Sequence, residues 1–263
     1  MKKIVLLATI AIALVSCNKV GKNQFLISGT ATGIEDGKMV VLQKQDPTTG
    51  ILIGLDSAKV KGGKFELKGK VTEPAFNVLQ IGKKGSNVGF ILESGEIKVV
   101  VNKDSINRTL ISGTYNNDEF TSFKKNSEKI QKTLQKKQME FQTKNMAAMN
   151  EAQKVKDTLV INRLMREYTE IQKESTTFFT EYASTHPKSF LSVLVVDGMF
   201  SMPKPEVEKI KKIYDGLDAD LKNTKPGKSI KDKLAKINAP VPPPAPAPAP
   251  APAPSAPPAP EQK

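Results

Sequence analysis

An α+β fold, with an N-terminal antiparallel β-sandwich or partly open barrel and then a helical hairpin and short helices, is predicted by three features. Residues 24–114 alternate apolar and polar positions with period two and are punctuated by glycines. Residues 115–238 change to spacing of three and four, the period of an amphipathic helix. Residues 239–263 abandon both for an alternating Ala-Pro tract, expected to be a disordered tail. Ahead of these lie a leader, residues 1–16, and a short tether, residues 17–23.

The β-domain is read strand by strand. Phe25, Ile27 and Gly29 alternate with polar neighbours, and Val40 to Leu42 follow an Asp36-Gly37 turn. Leu55 to Val60 lead into Gly62-Gly63, a pair suited to the positive φ angles of a two-residue hairpin, so the flanking strands are expected to pair directly. Phe65, Leu67 and Gly69 then alternate with Lys64, Glu66 and Lys68. Pro74 opens a strand to Ile81, Gly82 to Gly85 turn the chain, Val88 to Leu92 return it, and Ile97, Val99 and Val101 follow the turn at Glu93-Ser94-Gly95. About eight short strands in ninety residues point to a sandwich or barrel without crossing helices.

These residues also carry a resemblance. The arrangement Phe25-x-Ile27-x-Gly29, Leu55-Asp56-Ser57-Ala58-x-Val60, Gly63-Lys64-Phe65-x-Leu67-x-Gly69-x-Val71-x-x-Pro74 and Phe90-x-Leu92-Glu93-x-Gly95-x-Ile97 resembles the N-terminal β-domain of unknown function of envelope lipoproteins. There it precedes a thioredoxin-like or alkyl-hydroperoxide-reductase/thiol-specific-antioxidant domain. The resemblance spans roughly residues 23–114, and more loosely the helices to Asn238, and implies architecture and an envelope location, with no activity to carry over. After residue 238 this chain enters the Ala-Pro tract where those proteins enter the redox domain, so the redox chemistry is expected to be absent.

In the helical part, Asn117-Asp118 is suited to cap a helix whose Phe123, Ile130, Leu134 and Phe141 share a face. A second run, Ile161, Leu164, Tyr168, Ile171, Ser175, Phe178 and Tyr182, steps by three and four, the seam of packed helices. The seam breaks between about residues 148 and 155, which predicts two antiparallel helices packed within the chain or, in the alternative, against a second copy. His186-Pro187 ends the second helix, and residues 189–200 form a short, very apolar one. A further helix follows Pro203 and Pro205 with Ile210, Ile213, Tyr214, Leu217 and Leu221 inward; Lys225-Pro226-Gly227 separates it from a last amphipathic segment, Ile230, Leu234 and Ile237.

At the beginning, Lys2-Lys3 and the apolar run from Ile4 to Val15 make the charged and apolar regions of a secretory leader, too short to span a bilayer. Leu14-Val15-Ser16-Cys17 resembles a lipobox, which implies cleavage before Cys17, its acylation and a membrane anchor. With no aspartate or acidic run following Cys17, the expected address is the periplasm-facing leaflet of the outer membrane.

Cys17 is the chain's one cysteine, so once acylated it leaves the body without disulfides, thiolate metal sites or a thiol nucleophile. His186 is the one histidine, read as a helix-boundary residue and insufficient for a triad or multi-histidine metal site. No cofactor and no metal are expected. The net formal charge is +13, and +11 without Lys2 and Lys3; it is spread along the chain, which argues against nucleic acid and for solubility and attraction to anionic envelope polymers or lipid head groups.

Other motifs fail on spacing. Gly227-Lys228-Ser229 lacks the earlier glycine of a phosphate loop, Lys222 standing there instead; Asp215, Asp218 and Asp220 do not follow a calcium loop. Met139, Met146 and Met149 have no histidine or thiol beside them for copper and are expected to pack at the hairpin tip. Asp56-Ser57-Ala58, Asp104-Ser105-Ile106 and Asp157-Thr158-Leu159 resemble envelope O-glycosylation acceptors, which makes Ser57, Ser105 and Thr158 candidate sugar sites. The Ala-Pro tract is expected to be extended polyproline II, roughly 70 Å long at about 3.1 Å per residue.

The function expected from the sequence is a lipid-anchored, non-catalytic binding or scaffolding module of the envelope, with an envelope protein or cell-wall partner. The alternative is an accessory subunit of a thiol-disulfide or peroxide reductase system that works with a separate thioredoxin-like partner; a third reading, small-ligand binding inside the β-domain, needs a pocket with convergent polar groups. The sequence leaves the oligomeric state open.

Overall fold

A computed structural model describes residues 20–46, 49–83 and 85–237. Cys17, the leader and the Ala-Pro tract lie outside the described residues. Eight strands come first: β1 (Gln24–Thr30), β2 (Met39–Gln45), β3 (Leu52–Lys59), β4 (Lys64–Lys70), β5 (Ala75–Ile81), β6 (Asn87–Leu92), β7 (Gly95–Val100) and β8 (Leu110–Ser112). Six helices follow: α1 (Tyr115–Lys154), α2 (Thr158–Thr185), α3 (Phe190–Met199), α4 (Val207–Gly216), α5 (Ala219–Lys222) and α6 (Lys225–Ile237). The fold is α+β.

The strands form two four-stranded sheets, in the orders β4-β1-β7-β8 and β3-β2-β5-β6. Of the two expected forms this is the sandwich. Alternate residues of both sheets face one core: Phe25, Ile27, Phe65, Leu67, Ile97 and Val99 from the first, Val40, Leu42, Leu79, Ile81, Val88 and Phe90 from the second. Period-two alternation in the sequence therefore reports side-chain direction correctly.

The motif Phe-x-apolar-x-Gly occurs in both β1 and β4, and its repetition has a packing reason. The two strands are antiparallel, with Phe25 opposite Gly69, Ile27 opposite Leu67 and Gly29 opposite Phe65. Each phenylalanine ring lies over the other strand's glycine: a Cβ built on Gly29 would stand 2.0 Å from the Phe65 ring, and one on Gly69 2.9 Å from Phe25. Glycine leaves room for an aromatic ring, and the ring covers the backbone that glycine exposes.

Two expectations about the sheets need correction. Strands β3 and β4 do not form a hairpin, although Gly62 and Gly63 take φ of 55° and 67° and Lys61 and Lys64 exchange both backbone hydrogen bonds. Val60 turns into the core with no exposed surface, and its backbone bonds to Gly37 and Lys38, so the chain changes sheets at this corner. β3 consequently pairs with β2 and β4 with β1. The domain is also not wholly antiparallel, because β1 and β7 are parallel neighbours. Both are entered from the same end of the sandwich, β1 from the tether and β7 from the Glu93-Ser94 turn.

The helical part matches the expected pattern at most seam positions. α1 and α2 form an intramolecular antiparallel hairpin, with Phe123 against Phe178 and Tyr182, and Phe141 against Tyr168. The turn occupies Val155 to Asp157, at the C-terminal edge of the expected break. Lys156 takes φ of 56° there, a conformation that Gly or Asn usually marks in a sequence. Asp157 caps α2 by accepting hydrogen bonds from the N–H groups of Leu159 and Val160.

Helix starts and stops differ in three places. α1 begins at Tyr115 rather than after Asn117, and the side chain reaching back is that of Asp118, which accepts from the Gly113 N–H. The helix expected to run through Leu221 ends at Gly216; Asp218 caps the separate α5. Lys225-Pro226-Gly227, expected to separate two helical segments, instead forms the first turn of α6, in which Ile230 and Leu234 are buried as expected and Ile237 is 49% exposed. α3 is the apolar centre of the smaller helices: Phe190, Val193 and Val196 join Ile210, Ile213, Tyr214 and Ile230, with Ile91 of β6 in the same cluster. The helices thus use the outer face of the second sheet. Among the described residues, no helix is long and apolar enough to cross a membrane.

Candidate functional site: a helical arm and its joint

The residues singled out by sequence do not converge. Ser57 is exposed on the edge strand β3, Ser105 precedes a short 3-10 turn at Ile106–Arg108 and is partly buried, and Thr158 is exposed at the start of α2. Cys17 lies outside the described residues. What the structure brings together is an arm and a polar joint at its root.

The joint begins with two asparagines. Asn117, fully buried, accepts a hydrogen bond from the Ile91 N–H (3.0 Å) and donates to the Ile91 carbonyl (2.7 Å). β6 is an edge strand, and this side-chain amide satisfies its backbone as a neighbouring strand would. Asn116 donates from its backbone and side chain to the Glu93 carboxylate and accepts from the Phe190 N–H at 2.7 Å. One residue therefore ties the β6–β7 turn, α1 and α3 together.

The second half of the joint is aromatic and ionisable. The Tyr182 hydroxyl donates to Glu119 at 2.9 Å and lies 3.0 Å from the Ser189 hydroxyl. Burial pushes the Tyr182 phenol well above its ordinary value; the Ser189 contact lowers it and the Glu119 carboxylate raises it further. His186 stacks on the Tyr182 ring at 4.1 Å, its Nδ1 lies 3.0 Å from the Tyr182 carbonyl, and its Nε2 is 3.7 Å from Glu119. The Ser189 hydroxyl belongs to a fully buried residue, and His186 caps the end of α2, its N–H bonded to the Tyr182 carbonyl. The chemistry available here is hydrogen bonding that locks helix to helix and helix to sheet.

The arm leaves this joint in a defined direction. α1 passes Asn117 at Ile91, then Thr121 donates to the Ile111 carbonyl, and Lys124 reaches the Asn107 carbonyl in the β7–β8 loop. It therefore runs the height of the sandwich, from the end where Gln24 starts β1 to the opposite end. At 1.5 Å per residue, the remainder of α1 continues for about 45 Å beyond it.

The arm's outer surface carries apolar side chains, two of them methionines expected to pack at the hairpin tip. Met139 and Met146 are 68% and 60% exposed, and Val155 and Leu159 at the tip are 65% and 81% exposed. Met139 and Met146 therefore do not pack as expected, whereas Met149, nearer the turn, is half-buried. Beside the seam, Phe141, Met146, Met149 and Tyr168 line a notch of about 460 Å³.

Asn116 and Asn117 were missed as a joint because an Asn-Asn-Asp run after Gly113-Thr114 reads locally as a helix cap. Among the described residues, no group of three metal-ligating side chains stands together. No curated protein and no solved structure matches the chain. Residues 25–120 match the family described as a domain of unknown function (DUF4369), a span that takes in β1 from its second residue, β2 to β8 in full, and the first turns of α1, ending just after the asparagine joint.

Proposed function

We propose that this protein is a membrane-anchored, periplasm-facing lipoprotein that acts as a non-catalytic binding or scaffolding module, with the sandwich as its base and the α1–α2 hairpin as the arm that meets an envelope partner. The observation that carries the reading is polarity: the tether enters at the end of the sandwich where β1 begins, and the arm leaves past the other end. Anchored through Cys17, the molecule would hold its arm away from the membrane. The exposed Met139, Met146, Val155 and Leu159 supply the adaptable apolar contacts of a docking surface.

Site-specific photocrosslinking in the native host tests this. A crosslinker at Met146 is expected to give one discrete adduct with an envelope protein, lost when Met139 is changed to Glu; a crosslinker at Ser57, on the sandwich edge, is expected to give none. Equal adducts from both positions overturn the arm as the binding element. A thioredoxin-like protein in the Met146 adduct would replace the scaffold reading with the accessory-subunit alternative. Cys17→Ala is expected to move the protein from the membrane to the soluble fraction, and unchanged membrane retention would remove the anchor from the proposal.

A further inference from the structure

The end of the sandwich opposite the tether holds a groove of about 440 Å³ at the meeting of three loops. Its apolar floor is Ile34 after β1, Ile81 at the end of β5 and Ile106 after β7. Its rim carries Lys38, Lys83 and Lys103 against a single carboxylate, Glu35. Glu35 is already engaged by Lys38 at 3.1 Å. Among the described residues, Lys83 and Lys103 have no ion pair and no side-chain hydrogen bond, so two positive charges face the groove uncompensated.

Lys103 is also placed by packing. Its stem lies over Gly33, where a Cβ would stand 2.5 Å from the Lys103 Cδ, and Gly33 takes φ of 81°. Glycine is favoured at this position both for its backbone conformation and for the lysine that crosses it. Ser86 adds a hydroxyl on the β5–β6 side.

We infer that this groove binds a phosphate monoester whose organic part is apolar: the dianionic head between Lys83 and Lys103, the apolar part on the three isoleucines. A monoanion would leave one ammonium unneutralised, and a purely apolar ligand would strand both charges beside it. Lysine ammoniums, as compact donors on flexible stems, suit a tetrahedral phosphate. The head group of an acidic lipid and a soluble alkyl phosphate share this chemistry. The inference stands apart from the arm, since none of its residues lies on α1 or α2.

Titration calorimetry of the full chain, kept soluble with a non-ionic detergent, tests it with three probes: inorganic phosphate, hexyl phosphate and monomeric dihexanoyl phosphatidic acid. Hexyl phosphate is expected to bind about tenfold or more tightly than inorganic phosphate, and the Lys83→Gln/Lys103→Gln variant to weaken it by about tenfold or more. Ile106→Ser is expected to abolish the preference for hexyl phosphate while leaving inorganic phosphate binding in place. Tighter binding of dihexanoyl phosphatidic acid than of hexyl phosphate assigns the site to a lipid head group, and weaker binding to a soluble monoester. Equal affinity for hexyl and inorganic phosphate, or an unchanged affinity in the double lysine variant with its circular dichroism intact, overturns the proposal.

Discussion

The sandwich and the arm are built from the same kinds of residue but are held by different amounts of interior. The sandwich closes a continuous core between two sheets, with Phe90, Ile27, Leu42, Leu79 and Ile97 almost wholly out of water. Beyond the joint, the arm buries only Leu134, Ala152 and Leu164, supported by half-buried rings at Phe141 and Tyr168. Its ion pairs, such as Lys137 with Glu174, are exposed and contribute little each. The difference teaches that the arm is the low-stability unit of this molecule and the sandwich its rigid reference.

The strongest test of that contrast is Phe90→Ala, which opens a cavity at the centre of the sandwich. It should cost about 3–5 kcal/mol in denaturant unfolding and reduce hydrogen-exchange protection throughout β1 to β8. Asn117→Ala comes next. It leaves both backbone groups of Ile91 unpaired, so a loss of about 2–3 kcal/mol is expected, with faster exchange at the root of α1. If that exchange is unchanged, Asn117 does not join the two regions.

Leu164→Ala should act locally. A loss of about 2 kcal/mol is expected within the arm, seen as faster exchange in α1 and α2 beyond the joint, with β-sheet protection unaltered. Loss of sheet protection would mean that arm and sandwich unfold as one unit. A smaller effect separates the joint by pH. The Tyr182 phenol is raised above its unfolded value near 10, so its proton is held more tightly in the folded state. Its contribution is therefore complete below about pH 10 and falls as pH rises through the folded value. Tyr182→Phe should flatten the decline in stability above pH 10, measured as the difference from the parent protein; a parallel decline would exclude it. Smallest of all, Met146→Gln should change stability by less than about 0.5 kcal/mol, since the side chain is exposed, and so report on docking alone.

Much of this architecture was legible in the chain. Period-two runs identified the strands and their inward residues, and the three-and-four steps from Ile161 to Tyr182 identified the seam of α2. The turn at Val155 to Asp157 was located only approximately, because its positive-φ residue is Lys156 rather than glycine. The candidate binding surface was less legible. An exposed methionine and a buried one have the same hydropathy, and Met139 and Met146, expected to pack at the hairpin tip, are exposed on the arm.

The sequence by itself determined which residues point inward, where strand gives way to helix, and that the chain's one thiol, Cys17, follows an apolar run from Ile4 to Val15. These are local properties, set by backbone periodicity and residue chemistry. Only the tertiary structure decided that β3 and β4 part into different sheets, that β1 and β7 run parallel, and that Asn117 completes the edge of β6. It alone also sends the arm past the end of the sandwich opposite β1's first residue. Each of these depends on contacts between residues far apart in the chain, where pairing free energy rather than local pattern selects the neighbour.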